Sequence, residues 1–84
     1  MITEIPPEKF FYVSDGTVIR TLYELPDALR RMSPEVFKCH VNSEKNDFHN
    51  WALGVFNNTT LARKIKGTKN KELMAKKVFT ELFS

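Results

Sequence analysis

The sequence predicts an α+β fold that is mostly α: a two-stranded N-terminal β-hairpin packed on a bundle of four to five short helices, all within one domain over residues 1–84. Three observations predict it. Asp15 and Gly16 separate two runs rich in aromatic and β-branched residues in "FFYVSDGTVIR", the strongest short-range signal for a hairpin. From Thr21 onward, capping residues and prolines stand repeatedly at the heads of apolar stripes with helical spacing. A chain of 84 residues supplies one modest core and not two.

The elements follow in order. "ITEIPPEK" reads as an extended leader over residues 1–8, because Pro6 and Pro7 oppose helix. Residues 10–20 form the hairpin; a two-residue Asp-Gly turn sets Val13 opposite Val18 and Tyr12 opposite Ile19, with Asp15 tolerating positive φ as a turn residue. A lone hairpin is marginal in water, so it must pack on the helical residues 21–83. Thr21 and Glu24 have capping-box spacing, and Pro26 delays the regular helix to about its own position. Ser33, Pro34 and Glu35 open the next helix as cap, first residue and acidic first turn, and Val36, Phe37, His40 and Val41 share a face.

A polar run then interrupts the pattern. "HVNSEKNDFHNW", residues 40–51, holds two histidines and three asparagines beside Phe48 and Trp51. It reads as a structural joint formed by His40, Asn42, Asn46, Asp47 and Trp51. Asn46 or Asp47 caps the following helix, with Asp47 accepting from its first amides, while Asn42 and Asn46 satisfy exposed backbone groups. Phe48, Trp51, Ala52 and Val55 form the inward stripe, which turns His49 toward solvent. His40 is expected to be buried, with a ring nitrogen bonded to the joint's backbone or to an asparagine. Gly54, within a helix, reads as a point of close approach for a neighbouring helix or a ligand, packing being the preferred reading.

Asn58 or Thr59 caps a short helix with Leu61, Ala62 and Ile65 inward and Gly67 as its stop. The terminal helix places Met74, Val78 and Leu82 on one line, with Ala75, Phe79 and Phe83 beside it. That stripe is wider than one packed face requires. Part of it is therefore expected at the surface, with Phe79 or Phe83 beside Tyr23 or Phe10 and rimmed by Lys76 and Lys77, as the anchor of a protein interface.

Composition narrows the function classes. Apolar residues make up 42 % and charged residues 27 %, ordinary globular usage. Cys39 is the only cysteine, so no internal disulfide or thiolate-based zinc site forms, and a reducing, cytoplasmic compartment fits. The N-terminal residues lack a secretion-signal pattern, and no apolar run approaches the roughly 20 residues that span a bilayer. The net charge is +3, unevenly spread: residues 1–60 hold six basic and eight acidic side chains, and residues 61–84 hold seven and two. The basic segment 63–77, with Arg63, Lys64, Lys66, Lys69 and Lys71 as candidate contacts, reads as a solvated face or a weak nucleic-acid surface.

No catalytic constellation is legible. Cys39 and His40 point about 100° apart on a helix, which serves a nucleophile and base poorly. His40, Asp47 and His49 match no common metal spacing, and the three glycines stand apart rather than in a phosphate loop. No cofactor or metal is expected. The expected role is a non-catalytic interaction module that docks a protein or a second copy of itself.

"FFYVSDGTVIR", "LYELPDAL", "HVNSEKNDFHNW" and "LARKI" together resemble a small prokaryotic, largely archaeal family known only as a domain of unknown function, from Phe11 to about Leu82. The specific part is an HVNxEKNDFxxW signature over residues 40–51. Ala52 and Asn58 depart from the family pattern, in which a larger aliphatic and an aspartate are expected; both touch packing and capping. The resemblance implies the fold and carries no activity with it.

Overall fold

The computed structural model describes residues 5–83. Their order is strand β1 (Phe11–Tyr12), strand β2 (Val18–Ile19), and helices α1 (Leu25–Arg31), α2 (Pro34–His40), α3 (Asp47–Gly54), α4 (Thr59–Ile65) and α5 (Lys71–Phe83), with 3-10 turns at Pro7–Lys9 and Leu22–Glu24. The α+β, mostly α architecture is as the sequence predicts. Residues 1–4 of the expected leader lie outside the described residues. Pro6 is extended as expected, but Pro7 and Glu8 are not: Pro7 opens the first 3-10 turn, closed by the Lys9 amide on the Pro6 carbonyl at 2.8 Å. Proline at a first helical position gives up no needed donor, which the expectation of an extended leader overlooked. The Tyr12 hydroxyl donates to the Pro7 carbonyl at 2.6 Å, and the Trp51 indole donates to the Lys9 carbonyl at 2.8 Å.

The hairpin forms with a different register. Phe11 pairs with Ile19 and Tyr12 with Val18, one residue away from the expected alignment. The Val13 amide donates to Thr17 and the Gly16 amide to Val13, which makes a three-residue loop of Ser14, Asp15 and Gly16. Such a loop is a type I turn followed by a left-handed residue. Gly16 takes that position at φ 97°, and Asp15 keeps a negative φ. Its carboxylate instead accepts from the Thr17 amide at 2.9 Å. This register sends Phe11, Val13 and Ile19 inward and leaves Tyr12 and Val18 exposed.

The helices enclose one core in which Phe48, Ile19, Leu25, Leu29, Leu61, Ile65, Met74 and Val78 are fully buried. Phe11 stacks on Phe48 at 4.6 Å, and Phe37 lies on the same ring at 6.2 Å. Helix α5 packs between α1 and α4. It runs antiparallel to α1, since Lys71 at its start reaches the Arg30 carbonyl while Phe83 at its end meets Tyr23.

The caps are local. Ser33 accepts from Val36, Asn46 from His49, Asn58 from Leu61 and Asn70 from Leu73. Asn46, not Asp47, is therefore the cap of α3. Thr21 makes no cap bond, and Glu24 accepts from the Arg20 amide one residue outside the expected box.

Two glycine expectations change. A Cβ at Gly54 would meet nothing within 4 Å, so no neighbour requires a glycine there. Helix α4 ends at Ile65 with Lys66 as its C-cap, so Gly67 follows the helix end as expected, but without the left-handed φ of a glycine cap. The left-handed cap is Asn57, at φ 53°, whose amide donates to the Leu53 carbonyl at the end of α3.

Trp51→Ala should lower stability by about 3–5 kcal/mol through a core cavity, whereas Gly54→Ala should hold or raise it by up to about 1 kcal/mol. Denaturant melts decide both, and a Gly54→Ala variant losing more than it gains would overturn the open-space account. Asp15 supplies a pH signature. The Thr17 backbone amide, then its side chain, hold the carboxyl below its usual value of 3.8. A depressed folded pKa stabilises fully above the unfolded value and loses that contribution as pH falls through the folded one. Carbon-detected NMR titration should place the Asp15 midpoint below that of a free aspartate; an ordinary midpoint would mean an open turn.

Candidate functional site

Two places gather side chains beyond what an ordinary core needs. The first is the joint. Asn46 uses both ends of its amide: Oδ1 accepts from the His49 amide at 3.0 Å, and Nδ2 donates to the carbonyls of Ile65 at 2.9 Å and Lys66 at 3.1 Å. One side chain thus starts α3 and ends α4. Asn42 donates to the Lys38 carbonyl and accepts from the Glu44 amide, closing α2 and shaping the loop.

His40 links this joint to the hairpin. Its Nε2 accepts from the Ser14 amide at 3.1 Å, so in the neutral ring the proton sits on Nδ1, which donates to Asp47 at 3.0 Å. Asp47 also pairs with Lys45 at 3.1 Å. The side chain of His40 is 11 % exposed, wedged against the Phe11 and Phe48 rings. It is nearly buried, as expected, but its partners are an aspartate and the hairpin backbone rather than an asparagine or the joint's own backbone. His49 does not face solvent: its Nδ1 donates to the Ala62 carbonyl at 2.8 Å. Both histidines are thus committed to structural bonds. Cys39 is exposed. Among the described residues, no group of three or more His, Cys, Asp or Glu side chains converges as a metal site, and no buried side-chain polar atom lacks a partner.

The second place is the seam between α1 and α5. Phe79 and Phe83 stack at 4.9 Å, Tyr23 meets Phe83 edge-on at 5.4 Å, and the Arg30 guanidinium lies 5.8 Å from the Phe79 ring centre. The three aromatics are 54, 47 and 52 % exposed, for Tyr23, Phe79 and Phe83. The sequence-level stripe thus splits: Met74, Ala75 and Val78 are buried, Leu82 is partly buried, and the phenylalanines remain outside. Phe10, the alternative neighbour, lies instead beside Tyr12 at 6.4 Å. Lys76 stands one turn before Phe79 and is exposed. Lys77 does not join them; two helical residues from Phe79, it points to the opposite flank, where its ammonium donates to Thr68 at 2.8 Å and the Lys64 carbonyl at 3.2 Å. Arg30, which sequence reasoning missed, takes that place because α1 packs antiparallel on α5.

The basic segment is divided in the same way. Lys64 pairs with Glu81 at 2.6 Å, and Lys71 bonds the Arg30 carbonyl and Glu72. Arg63, Lys66 and Lys69 are exposed and make no ion pair among the described residues. Among the described residues, no helix is long and apolar enough to cross a membrane.

Because Asn46 serves two helices, Asn46→Ala should lower stability by about 2–3 kcal/mol, through one lost cap and two stranded carbonyls. Asp47→Ala should cost about 1 kcal/mol. Equal losses in parallel denaturant melts would deny Asn46 its double role. Compared with family models, with curated proteins and with solved structures, the chain finds no match.

Proposed function

We propose that the protein is a non-catalytic protein-interaction module whose contact surface is the aromatic cluster of Tyr23, Phe79 and Phe83, bordered by Arg30 and Lys76. The observation that carries this reading is the cluster itself. Three half-exposed aromatic rings touch in one continuous patch, although burying one such ring contributes roughly 1.5–3 kcal/mol. Buried aromatics and arginine with a polar border are the anchors on which binding energy concentrates. The absence of free acid–base chemistry at the joint supports the same reading, since His40, His49 and Asp47 are all spent on bonds that hold elements together. The resemblance carried by residues 40–51 supports a prokaryotic, largely archaeal setting, and the lone cysteine supports the reducing cytoplasm.

A second reading is weak nucleic-acid binding through Arg63, Lys66 and Lys69, favoured by their exposure without ion partners among the described residues. The commitment of Lys64 and Lys71 to internal bonds reduces the charge available to phosphates. With so few free cations, affinity for duplex DNA or RNA should be sequence-tolerant and vanish near 150 mM salt. Anisotropy across a salt series measures this, and sub-micromolar, sequence-selective binding at that salt would put nucleic acid first.

Phe83→Ser tests the leading reading. A contact residue should lose self-association or partner capture with a melting temperature close to the parent's. A fall in melting temperature with binding retained would make Phe83 a core residue and remove the proposed surface.

A further inference from the structure

Resting on that reading of the α1–α5 seam, we infer the chemistry of its occupant: a short amphipathic helix of a partner protein, with apolar anchors flanked by carboxylates. Area argues against a second copy. An aromatic side chain buries about 150–250 Å² when enclosed, so three half-exposed rings offer roughly 300 Å². A stable protein pair needs about 800 Å² on each side. One helix that places two or three anchors at i, i+3, i+4 and i+7 spans about 10 Å and needs no more than the patch supplies. The rings touch in succession, from Phe79 under Arg30 through Phe83 to Tyr23, at the antiparallel seam of two helices.

Charge then selects the flanks. Two acids beside the seam are ion-paired, Asp27 with Arg31 at 3.0 Å and Glu72 with Lys71 at 3.1 Å, while Glu24 accepts from the Arg20 backbone amide at 2.8 Å. Arg30 and Lys76 make no ion pair among the described residues. The Arg30 guanidinium lies over the Phe79 ring rather than against a carboxylate, which leaves its fork of donors for an incoming anion. Glu24 keeps its charge, but Arg30 and Lys76 outnumber it two to one, so the balance of unpaired charge on the border is positive, and complementary potential favours both encounter and register.

Two fluorescein-labelled synthetic helical peptides test this, with identical leucine and phenylalanine anchors at i, i+4 and i+7 and with either glutamates or lysines on the flanks. The glutamate peptide should bind the intact protein saturably and about tenfold tighter than the lysine peptide, with the difference shrinking as salt rises. Phe83→Ser should abolish binding of both. Arg30→Gln with Lys76→Gln should bring the two peptides to parity at an unchanged melting temperature. Equal binding of both peptides by the parent, lost in Phe83→Ser, would overturn the acidic partner and leave the interaction surface standing. Binding of neither peptide, or binding indifferent to Phe83→Ser, would overturn the partner helix. In that case concentration-dependent sedimentation abolished by Phe83→Ser would keep the interaction reading with a second copy as occupant, and an unchanged monomer would remove that reading too. Flotation with phosphatidylcholine–phosphatidylserine vesicles, lost in Phe83→Ser and accompanied by no peptide binding, would likewise overturn the helix and assign the seam to a lipid surface.

Discussion

The fold depends on how one amide, that of Asn46, is shared. Its oxygen holds the first turn of α3 and its nitrogen holds the last carbonyls of α4. A helix of seven or eight residues leaves half or more of its backbone groups without internal partners, so in a chain built from such helices the ends decide whether the elements persist. Satisfying two ends with one side chain fixes the crossing of α3 and α4, and with it the apolar faces that meet there, Phe48, Ala52, Leu61 and Ile65. The polarity of "HVNSEKNDFHNW" is the means by which short helices close over a core without stranded donors or acceptors.

His40 extends the same logic to the hairpin. Two strands of two residues each have little cohesion of their own. The hairpin is held from outside itself: by the His40 ring on the Ser14 amide, by the Trp51 indole on the Lys9 carbonyl, and by Phe11 stacked on Phe48. The joint, the hairpin and α3 are thereby one cooperative unit. Substitutions at the joint should register first as loss of the hairpin's order.

How much of this was legible in the sequence follows from the reach of each interaction. Ser33, Asn58 and Pro34 act within one turn of their own positions, and the caps they form were readable from local spacing. The hairpin's existence was readable for the same reason, but its register was not, because an Asp-Gly pair serves a two-residue loop or the last part of a three-residue one. Choosing between them depends on burying Phe11 and Ile19 together, which only the packed core imposes. His40 to Ser14 and Asn46 to Ile65 span 26 and 19 residues; spacing marked both side chains as structural without identifying partners so distant. Gly54 misled because glycine inside a helix has a common packing cause, and here a Cβ would enter open space.

The exposed seam was legible for a different reason. A helix packed against two neighbours needs an apolar arc for each, and α5 spends Met74, Ala75 and Val78 on the core while Lys77 and Glu81 face α4 through polar bonds. Nothing remains for Phe79 and Phe83 to cover except the edge facing α1, whose own seven residues are too few to shield them. The surplus is thus a consequence of unequal helix lengths: α5 has 13 residues against the seven of α1. The 3-10 turn before α1, Leu22–Glu24, places only Tyr23 beside Phe83, itself half exposed. At that edge both side chains stay about half exposed. Both are phenylalanine, and Phe79 lies beneath Arg30, which has no ion partner among the described residues; aromatic rings beside an arginine are the chemistry on which binding energy concentrates.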